Sequence, residues 1–326
     1  MDNQTFSKTQ VVRVASVQME SKPGDKEANF RTIETFVMQA ADQGVQFILF
    51  PECNITGYWF IRNLTAAQLE QLAEPVFDGM SSRRLCQLAE KYNITIGAGL
   101  IEAGSDGHYY NSFVVALPDG SMHRHRKIQA FEHPLVEGGN EYTVFDTPYG
   151  FKVGILICYD NNITENVRMT ALMGADIILA PHQTGGCRTK NPNLMGVIDA
   201  QLWENRHADP KAIEREFLSE KGRGWLMRWL PSRAHDNGVF MIFANGVGVD
   251  DDEIRTGNAM ILDPYGRILT ETWKAANDMV VHDLDKALLH KATGREWMAA
   301  RRPEMYTLLT QRTGLEKDTH ILKFEE

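Results

Sequence analysis

The sequence predicts an α/β protein, a four-layer α-β-β-α sandwich in which two mixed β-sheets pack face to face with helices outside. Three observations favour this fold class. Strand and helix patterns alternate over about the first hundred residues, hairpin patterns fill the middle of the chain, and further strand patterns follow. Hydrophobic residues make up 43% of the 326 residues, which is ample material for a buried core.

The first elements alternate between strand and helix. A strand is expected at 11–19, and a helix follows from about Lys26, with apolar residues at helical spacing until Gly44 ends it. The continuous apolar run at 45–50 has the length of a buried strand. This order of elements is typical of a sheet covered by helices.

The later elements are mainly strands, several of them paired by turn residues as in hairpins. They comprise a helix at 81–92, strands at 94–101, 111–117, 121–128, 144–147, 152–157, 177–180 and 239–244, and a last hairpin turning at 263–266. No linker rich in Ser, Gly or Pro interrupts them, so we expect a single domain over 1–326 with a C-terminal extension at about 286–326. A polar stretch at about 188–223 fits no strand, and both a solvated helical insertion and a lid or subunit contact would explain it.

Charge and hydropathy exclude several classes of partner. The formal net charge of −9 opposes binding to nucleic acid and to anionic membranes, since both depend on clustered Lys and Arg. The chain opens without the basic and apolar regions of a secretory signal, and no run of about 18 apolar residues could span a membrane. We therefore expect a cytoplasmic protein that acts on a small molecule.

The four cysteines contain no Cys-x-x-Cys pair, which disfavours a zinc ribbon or a redox motif, and most such cysteines are simply small buried hydrophobic residues. Cys158 differs from the others because it follows the apolar run at 153–157 and precedes a helix-like segment at 164–173. Backbone N–H groups exposed at such a junction favour a thiolate. Cys158 therefore has the position of a nucleophile.

Two charged residues could assist such a thiol. Glu52 follows the buried strand at 45–50, and burial would raise its pKa to suit a general base, although a loop cap or an ion pair would also explain it. Period-two alternation puts His123, His125 and Lys127 on one face of a strand. If that face points inward, Lys127 needs a buried carboxylate partner. The two histidines lack a third ligand, so no metal is expected.

Three short motifs follow one another along the chain. They are Phe50-Pro51-Glu52 followed by Gly57-Tyr58, Arg126-Lys127 in the strand after Asp119-Gly120, and Cys158-Tyr159-Asp160 after an apolar strand. In this order they resemble the nitrilase superfamily, the carbon–nitrogen hydrolases. Further similar segments, at 110–112, 144–150, 174–176 and 302–306, extend the resemblance over nearly the whole chain apart from 188–223.

The resemblance implies the same four-layer fold and a Glu-Lys-Cys triad. Glu52 would act as general base, Lys127 would stabilise the oxyanion, and Cys158 would attack the carbon of the substrate. Many family members use a second glutamate after the lysine. We assign it to Glu132 and keep Glu137 as the alternative, because the spacing from Lys127 to Glu132 is tighter than the family pattern suggests.

Four further residues are expected to bind substrate. They are Tyr58 and Trp59 in the aromatic loop after Glu52, Tyr159 with its backbone N–H as a second oxyanion donor, and His182. The pair Tyr159-Asp160 after the cysteine is more similar to the amidase and carbamoylase branches than to nitrilases, which have Trp-Glu there.

These resemblances imply hydrolysis of a small amide or N-carbamoyl compound to an acid, with release of ammonia or an amine through a cysteine thioester. The nearest alternative is a nitrilase that converts a nitrile to an acid. An inactive member that binds a ligand or partner is an alternative of another class. No dinucleotide or Walker motif is present, so no cofactor is expected. The family implies a homodimer or a higher homo-oligomer.

Overall fold

The computed structural model describes residues 10–324, which form 14 strands and 10 α-helices. The strands are β1 Val11–Met19, β2 Phe47–Leu49, β3 Thr95–Ala103, β4 Tyr109–Ala116, β5 Met122–Arg126, β6 Val136–Glu137, β7 Thr143–Asp146, β8 Lys152–Ile155, β9 Ile177–His182, β10 Phe240–Asp250, β11 Glu253–Thr256, β12 Met260–Leu262, β13 Ile268–Glu271 and β14 Asp278–Asp285. The α-helices are α1 Lys26–Asp42, α2 Ala66–Leu72, α3 Met80–Tyr92, α4 Thr164–Leu172, α5 Ala200–Glu204, α6 Pro210–Leu218, α7 Arg223–Met227, α8 Leu230–Asn237, α9 Thr293–Ala299 and α10 Thr319–Phe324. Short 3-10 helices lie at Trp59–Asn63, Cys158–Asn162, Lys286–Lys291, Pro303–Met305 and Thr307–Thr310.

Hydrogen bonds connect the strands in the order β5-β4-β3-β2-β1-β10-β9-β8-β7. β1, β2 and β3 run parallel, as do β8, β9 and β10. In this order β4, β5 and β7 pair antiparallel with their neighbours, and the short β6 pairs parallel with β4. β1 and β10 share two residue pairs, Gln18 with Asn245 and Met19 with Gly246. The network thus has two mixed halves, the β1 half (β1–β6 and β14) and the β10 half (β7–β13), which are joined at one corner.

Side chains alternate across each strand, so each half has two apolar faces. In β10, Phe240 and Ile242 belong to the cluster between the two halves, and Met241 belongs to an outer cluster with α4 and α8. Ile33 of α1 and Leu85 of α3 pack on the outer face of the β1 half. The layers are therefore helix, sheet, sheet and helix, which confirms the predicted fold class.

The longest helix, α1, has the start and end that its sequence predicts. Asp25 precedes it, and the Asp25 carboxylate accepts a hydrogen bond from the N–H of Ala28 at 2.9 Å. After the helix, Gly44 adopts a φ of 70°, which glycine tolerates without steric cost. Within residues 10–324 no helix has both the length and the apolar character needed to cross a membrane.

Besides the two-residue β6, two strands were not predicted from the sequence, β11 and β14. β14 pairs antiparallel with β1 along residues 11–18 of β1. It contains three aspartates and a histidine. Val280 and Leu284 are packed between the halves, and Met279 and Val281 pack against the outer cluster of the β1 half. β11 is four residues long and includes Glu253 and Arg255. Charged residues interrupt the apolar pattern in both strands, so the pattern does not predict them.

The polar stretch at about 188–223 contains α5 and α6 and leads into α7. Three of its apolar residues, Trp203, Ile213 and Phe217, form a buried cluster. Val247 of β10 and Ile254 of β11 also belong to that cluster, as do Ile198 and Ala275. The stretch therefore packs against β10 and β11 of the β10 half.

Candidate active site

The site lies where strands from both halves end. In the β1 half, Glu52 follows β2 and Lys127 follows β5. In the β10 half, Cys158 follows β8 and His182 is the last residue of β9. Because the carboxyl ends of parallel strands lie at one edge of a sheet, the fold brings together side chains that are far apart in sequence.

Lys127 is the central residue of the site, and its side chain is fully buried. The Lys127 Nζ donates a hydrogen bond to Glu52 Oε1 at 2.6 Å and another to Glu132 Oε1. It also lies 4.5 Å from the ring centroid of Phe131. A buried ammonium group is tolerated only when partners compensate its charge, and these two carboxyl groups do so.

Glu52 has one oxygen held by the protein and one that is not. Besides Lys127, its Oε1 accepts a hydrogen bond from Asn111 Nδ2 at 2.7 Å. Its Oε2 is buried and has no hydrogen-bond partner within residues 10–324. The backbone carbonyl of Glu52 accepts from Gln183 Nε2 at 2.9 Å, which fixes the loop. Oε2 is therefore the oxygen available to a group that enters the site.

Glu132 is the second glutamate that meets the lysine. Its Oε2 accepts the backbone N–H of Phe131 at 3.1 Å, and the Tyr58 hydroxyl donates to its Oε1 at 3.5 Å. Glu137 is exposed on β6, where it pairs with Tyr110 of β4. The structure thus brings Glu132, and not Glu137, to Lys127.

The two carboxyl groups that share Lys127 have pKa values shifted in opposite directions. Burial raises the pKa of Glu52 well above its ordinary value, a charge on Cys158 raises it further, and Lys127 only partly opposes them. Burial also disfavours ionised Glu132, but the charge and hydrogen bond of Lys127 outweigh it and lower that pKa. Lys127 itself is disfavoured by burial, yet the two glutamates raise its pKa well above the ordinary value. Glu52 is consequently the member that can hold a proton.

Cys158 occupies a sharp turn between β8 and α4. It is the first residue of the 3-10 helix Cys158–Asn162, and its φ is 49°. Positive φ values are uncommon for residues other than glycine and persist only where the surroundings enforce them. The residue is 8% exposed, and its charge affects the pKa values of both Glu52 and Lys127. The thiol therefore lies within electrostatic reach of both groups.

Asp160 enforces this turn and connects it to the strand that carries Lys127. Its fully buried carboxylate accepts three backbone N–H groups, from Gln129 at 2.8 Å, Ile157 at 3.0 Å and Ile128 at 3.3 Å. Ile128 and Gln129 follow Lys127 directly, whereas Ile157 precedes Cys158. One side chain thus connects the Cys158 turn with the segment that follows Lys127.

Sequence reasoning did not identify Asp160 or Asn111 as functional, although both lie in motifs that carry the family resemblance. The available signal was a polar residue in or beside an apolar run, where burial requires hydrogen-bond partners. Its partners could not be named in advance, because Asn111 meets Glu52 across 59 residues of chain.

Three of the predicted substrate-binding residues belong to a row of rings beside the lysine. Tyr58 is buried and stacks on the half-buried Trp59 with ring centroids 5.8 Å apart. Trp59 meets Phe131 edge to face at 6.4 Å, and Phe131 meets Tyr159 in the same way at 5.9 Å. These four residues form an aromatic wall that runs from Glu132 to the Cys158 turn.

The fourth predicted substrate-binding residue, His182, is buried next to the Cys158 turn. Its ring lies 4.7 Å from that of Phe243 and 5.6 Å from that of Trp229. Burial lowers the pKa of His182 to about 3, so the imidazole is neutral. Its Nε2 lies 3.2 Å from Asn161 Nδ2, which also donates to the carbonyl of Leu156 at 2.7 Å. These contacts are with residues that hold the turn.

The two histidines that precede Lys127 do not form a metal centre with it. His123 stacks on Phe145 with centroids 3.9 Å apart, and His125 lies 3.2 Å from Thr143 Oγ1. Within residues 10–324 no group of three or more His, Cys, Asp or Glu side chains is placed to hold a metal ion.

The other three cysteines are free thiols in different surroundings. Burial raises the pKa of Cys53 well above its ordinary value, and its thiol donates to Asn111 Oδ1 at 3.3 Å. Burial raises the pKa of Cys187 to about 12 although Arg255 contacts its sulfur. Burial also raises the pKa of Cys86. These three groups are therefore thiols at neutral pH.

Comparison with known proteins gives consistent matches. Residues 13–293 match the family described as carbon-nitrogen hydrolase. The chain is 28% identical over 282 residues to a nitrilase of Pyrococcus abyssi, covering 86% of this chain and 92% of that protein. It is also 28% identical over 295 residues to an (R)-stereoselective amidase of a Pseudomonas species, covering 88% and 89%. A Saccharomyces cerevisiae member of branch 10 of the nitrilase superfamily has a similar structure, with a TM-score of 0.68, 23% identity, and coverage of 92% and 99%.

Proposed function

The chain belongs to the carbon–nitrogen hydrolase family, the nitrilase superfamily, and from this premise we propose that it hydrolyses a small amide or N-carbamoyl compound through a thioester on Cys158. One observation carries the proposal. A buried lysine lies between Glu52 and Glu132, whose pKa values are shifted in opposite directions, within electrostatic reach of a cysteine on a sharp turn. Such a site can hold a proton and a positive charge beside a nucleophile.

The first step forms a carbon–sulfur bond. Glu52 Oε2 takes the proton of the thiol, and the Cys158 sulfur attacks the carbonyl carbon of the substrate. The electron pair of the C=O bond moves to oxygen. Lys127 and the backbone N–H of Tyr159 donate to this oxyanion, and their stabilisation is largest when the charge is fully developed.

The second step breaks the carbon–nitrogen bond. The oxyanion returns its electron pair to carbon, and the nitrogen leaves with the proton that Glu52 supplies, as ammonia or an amine. The raised pKa of Glu52 suits this step, because a carboxyl group that holds a proton near neutral pH can donate it. The acyl group then remains on Cys158 as a thioester.

The third step restores the enzyme. Glu52 takes a proton from water, the resulting hydroxide attacks the thioester carbon, and the Cys158 sulfur leaves with its electron pair and recovers the proton. Throughout, Glu132 keeps Lys127 charged and in place. Tyr58, Trp59 and Tyr159 would contact the substrate from the aromatic wall, and His182 would support the Cys158 turn.

Nitrile hydrolysis is the second candidate, because a relative that covers 86% of this chain is named a nitrilase. Both reactions begin with attack by the thiol. In amide hydrolysis the first adduct loses its nitrogen directly. In nitrile hydrolysis the thiol adds to the nitrile carbon, and that adduct is hydrated before its nitrogen leaves. We place the amide first because Tyr159 and Asp160 follow the cysteine. This pair is more similar to the amidase and carbamoylase branches than to nitrilases, which have Trp-Glu there.

The test is release of ammonia by wild type, Cys158→Ala and Cys86→Ala with butyramide, N-carbamoylglycine and butyronitrile. Cys86 is a suitable control because it is a half-buried thiol on α3, outside the site. We expect release from the amide or the carbamoyl compound that is lost in Cys158→Ala and kept in Cys86→Ala. Release from the nitrile alone would favour the nitrilase. No release, together with no selective alkylation of Cys158 by iodoacetamide, would favour an inactive binding protein.

A further inference from the structure

The last helix places a cation beside the aromatic wall. Lys323 of α10 has its Nζ 4.8 Å from the ring centroid of Phe131 and 4.9 Å from that of Tyr159. The ring of Phe131 also contacts Lys127, whose Nζ lies 4.5 Å from its centroid. A second ammonium group therefore lies one ring away from the lysine of the site and beside the residue that follows the nucleophile.

Two hydrogen bonds hold α10 against the loop that carries Glu132. Thr319 is 8% exposed, and its hydroxyl donates to Gln129 Oε1 at 3.2 Å. His320 Nε2 lies 3.0 Å from the backbone carbonyl of His133, to which it donates. Gln129 and His133 lie on either side of the Glu132 position in the chain. The helix is therefore attached to the site itself and not to a distant surface.

Lys323 and Cys158 both lie within electrostatic reach of the thiol of Cys187. Although burial is the main cause of the raised pKa of Cys187, charges on both Lys323 and Cys158 also influence it. Electrostatic influence on one buried group requires both charges to be near it. Together with its contact with the ring of Tyr159, the residue after Cys158, this puts Lys323 on the same side of the molecule as the site.

Lys323 differs from the other cations of this region in its partners among residues 10–324. Lys127 is paired with two glutamates, and Arg255 is paired with Asp250 and Glu253. Within residues 10–324, no Asp or Glu lies within ion-pair distance of Lys323. An ammonium group that contacts two rings and lacks a counter-ion is suited to bind an anion.

We propose that Lys323 determines substrate specificity by binding a carboxylate at the end of the substrate opposite to the bond that is cleaved. The substrate class is then an amide or N-carbamoyl compound that also carries a carboxylate. This inference rests on the proposed function and narrows it. The family match ends at residue 293, so α10 is a feature of this chain that lies outside the matched region.

The test compares two amides of similar length, succinamate with a carboxylate and pentanamide without one. The full-length proteins are wild type, Lys323→Gln, Lys323→Arg and Lys317→Gln, the last as a control because Lys317 is an exposed lysine of the same terminal segment. For Lys323→Gln we expect KM for succinamate to rise about tenfold or more, with kcat and the KM for pentanamide unchanged. Lys323→Arg should retain most of the affinity, and Lys317→Gln should match wild type.

A binding measurement separates this inference from the proposed function. Titration calorimetry of succinamate into Cys158→Ala, with and without Lys323→Gln, reports carboxylate recognition without turnover. Equal affinities in the two proteins would overturn the inference. An equal change in KM for both amides in Lys323→Gln would also overturn it. Faster turnover of both amides in that variant would do so too, because α10 would then merely restrict access to the site. Weaker binding without ammonia release from any amide in wild type would instead refute only the proposed hydrolysis.

Discussion

The site has two regions that are built differently. The floor consists of Glu52, Lys127, Glu132, Cys158 and Asp160. Its members follow strand ends or the loops next to them and are buried. Hydrogen bonds hold the side chains of Glu52, Lys127, Glu132 and Asp160, and the turn holds Cys158. The mouth consists of the aromatic wall and α10. Its members touch mainly through ring contacts, and two hydrogen bonds attach α10 to the rest.

From this difference we predict that the chemistry depends on the floor and the specificity on the mouth. The floor depends on strands of both halves, so any change there should affect every substrate alike. The mouth depends on loops and on a helix beyond the family match, so a change there should affect some substrates more than others. The following variants test this division, from the largest expected effect to the smallest.

Replacing the lysine of the floor should have the largest effect. Lys127→Ala removes a donor to the oxyanion, and we expect kcat to fall by on the order of a hundredfold or more for every substrate. It also leaves two buried carboxyl groups without a cation, which should lower the free energy of unfolding by about 3 kcal/mol near neutral pH. Steady-state kinetics and urea unfolding measure both effects. Wild-type turnover in the folded variant would contradict the role of Lys127.

The stability loss of Lys127→Ala should depend on pH in a defined direction. Without the ammonium, both carboxyl groups would have raised pKa values in the folded protein. A carboxyl group whose pKa is raised by folding binds its proton more tightly in the folded protein. It therefore favours the folded state at low pH, and this contribution is lost as the pH rises through the folded pKa. The variant should therefore be closer to wild type at pH 5 than at pH 8. Lys91→Ala, at an exposed position of α3, should show no such dependence.

The buried aspartate that connects the two halves should have the next largest effect. Asp160→Asn keeps the shape of the side chain but removes its charge and one acceptor. We expect kcat to fall about tenfold or more and the free energy of unfolding to fall by about 2 kcal/mol. The alkylation rate of Cys158 should fall as well, because the turn is no longer fixed. Asp146→Asn, whose side chain is 79% exposed, is the matched control and should change neither quantity.

The second glutamate should affect the pH dependence more than the fold. The charge of Glu132 raises the pKa of Glu52, whereas the charge of Lys127 lowers it. Glu132 and Glu52 both bind Lys127, so each carboxylate competes for the same ammonium group. Glu132→Gln removes the repulsion and leaves Lys127 to Glu52, so the pKa of Glu52 should fall. The acid limb of kcat/KM should move to lower pH, while kcat falls about tenfold. Glu137→Gln should leave the profile unchanged, and a shift there instead would reverse our assignment.

A hydroxyl at the boundary of the two regions should have the smallest effect. Tyr58 donates to Glu132 over 3.5 Å, which is a long hydrogen bond. Tyr58→Phe should therefore change kcat by about threefold or less and the free energy of unfolding by under about 1 kcal/mol. Kinetics with two substrates and thermal unfolding check this. A uniform loss of tenfold or more would place Tyr58 in the floor and move the boundary that we draw.

Most of the floor could be predicted from the sequence because it follows apolar strands. The run at 45–50 predicted a strand that delivers Glu52, and the run at 153–157 predicted one that delivers Cys158. The spacing from Lys127 to Glu132 was harder to interpret. In the structure the chain leaves β5 at Arg126 and turns back at once, so five positions suffice to return a carboxylate to the ammonium.

The rest could not be predicted because it depends on partners far away in sequence. Asp160 bonds to Gln129 across 31 residues, and Thr319 bonds to Gln129 across 190. No local pattern reports such contacts. β14 is concealed for a different reason, since its charged residues break the apolar alternation that identifies strands.

The central claim is that Cys158 carries the acyl group while Glu52 moves the proton. It is tested most directly by stopping turnover of an amide with acid, digesting the protein and weighing the peptide that contains Cys158. Our account predicts the mass of the acyl group on that cysteine in wild type and its absence in Glu52→Gln. The account would be contradicted if wild type hydrolysed the amide with no acyl group on Cys158, or if Glu52→Gln hydrolysed it at the wild-type rate.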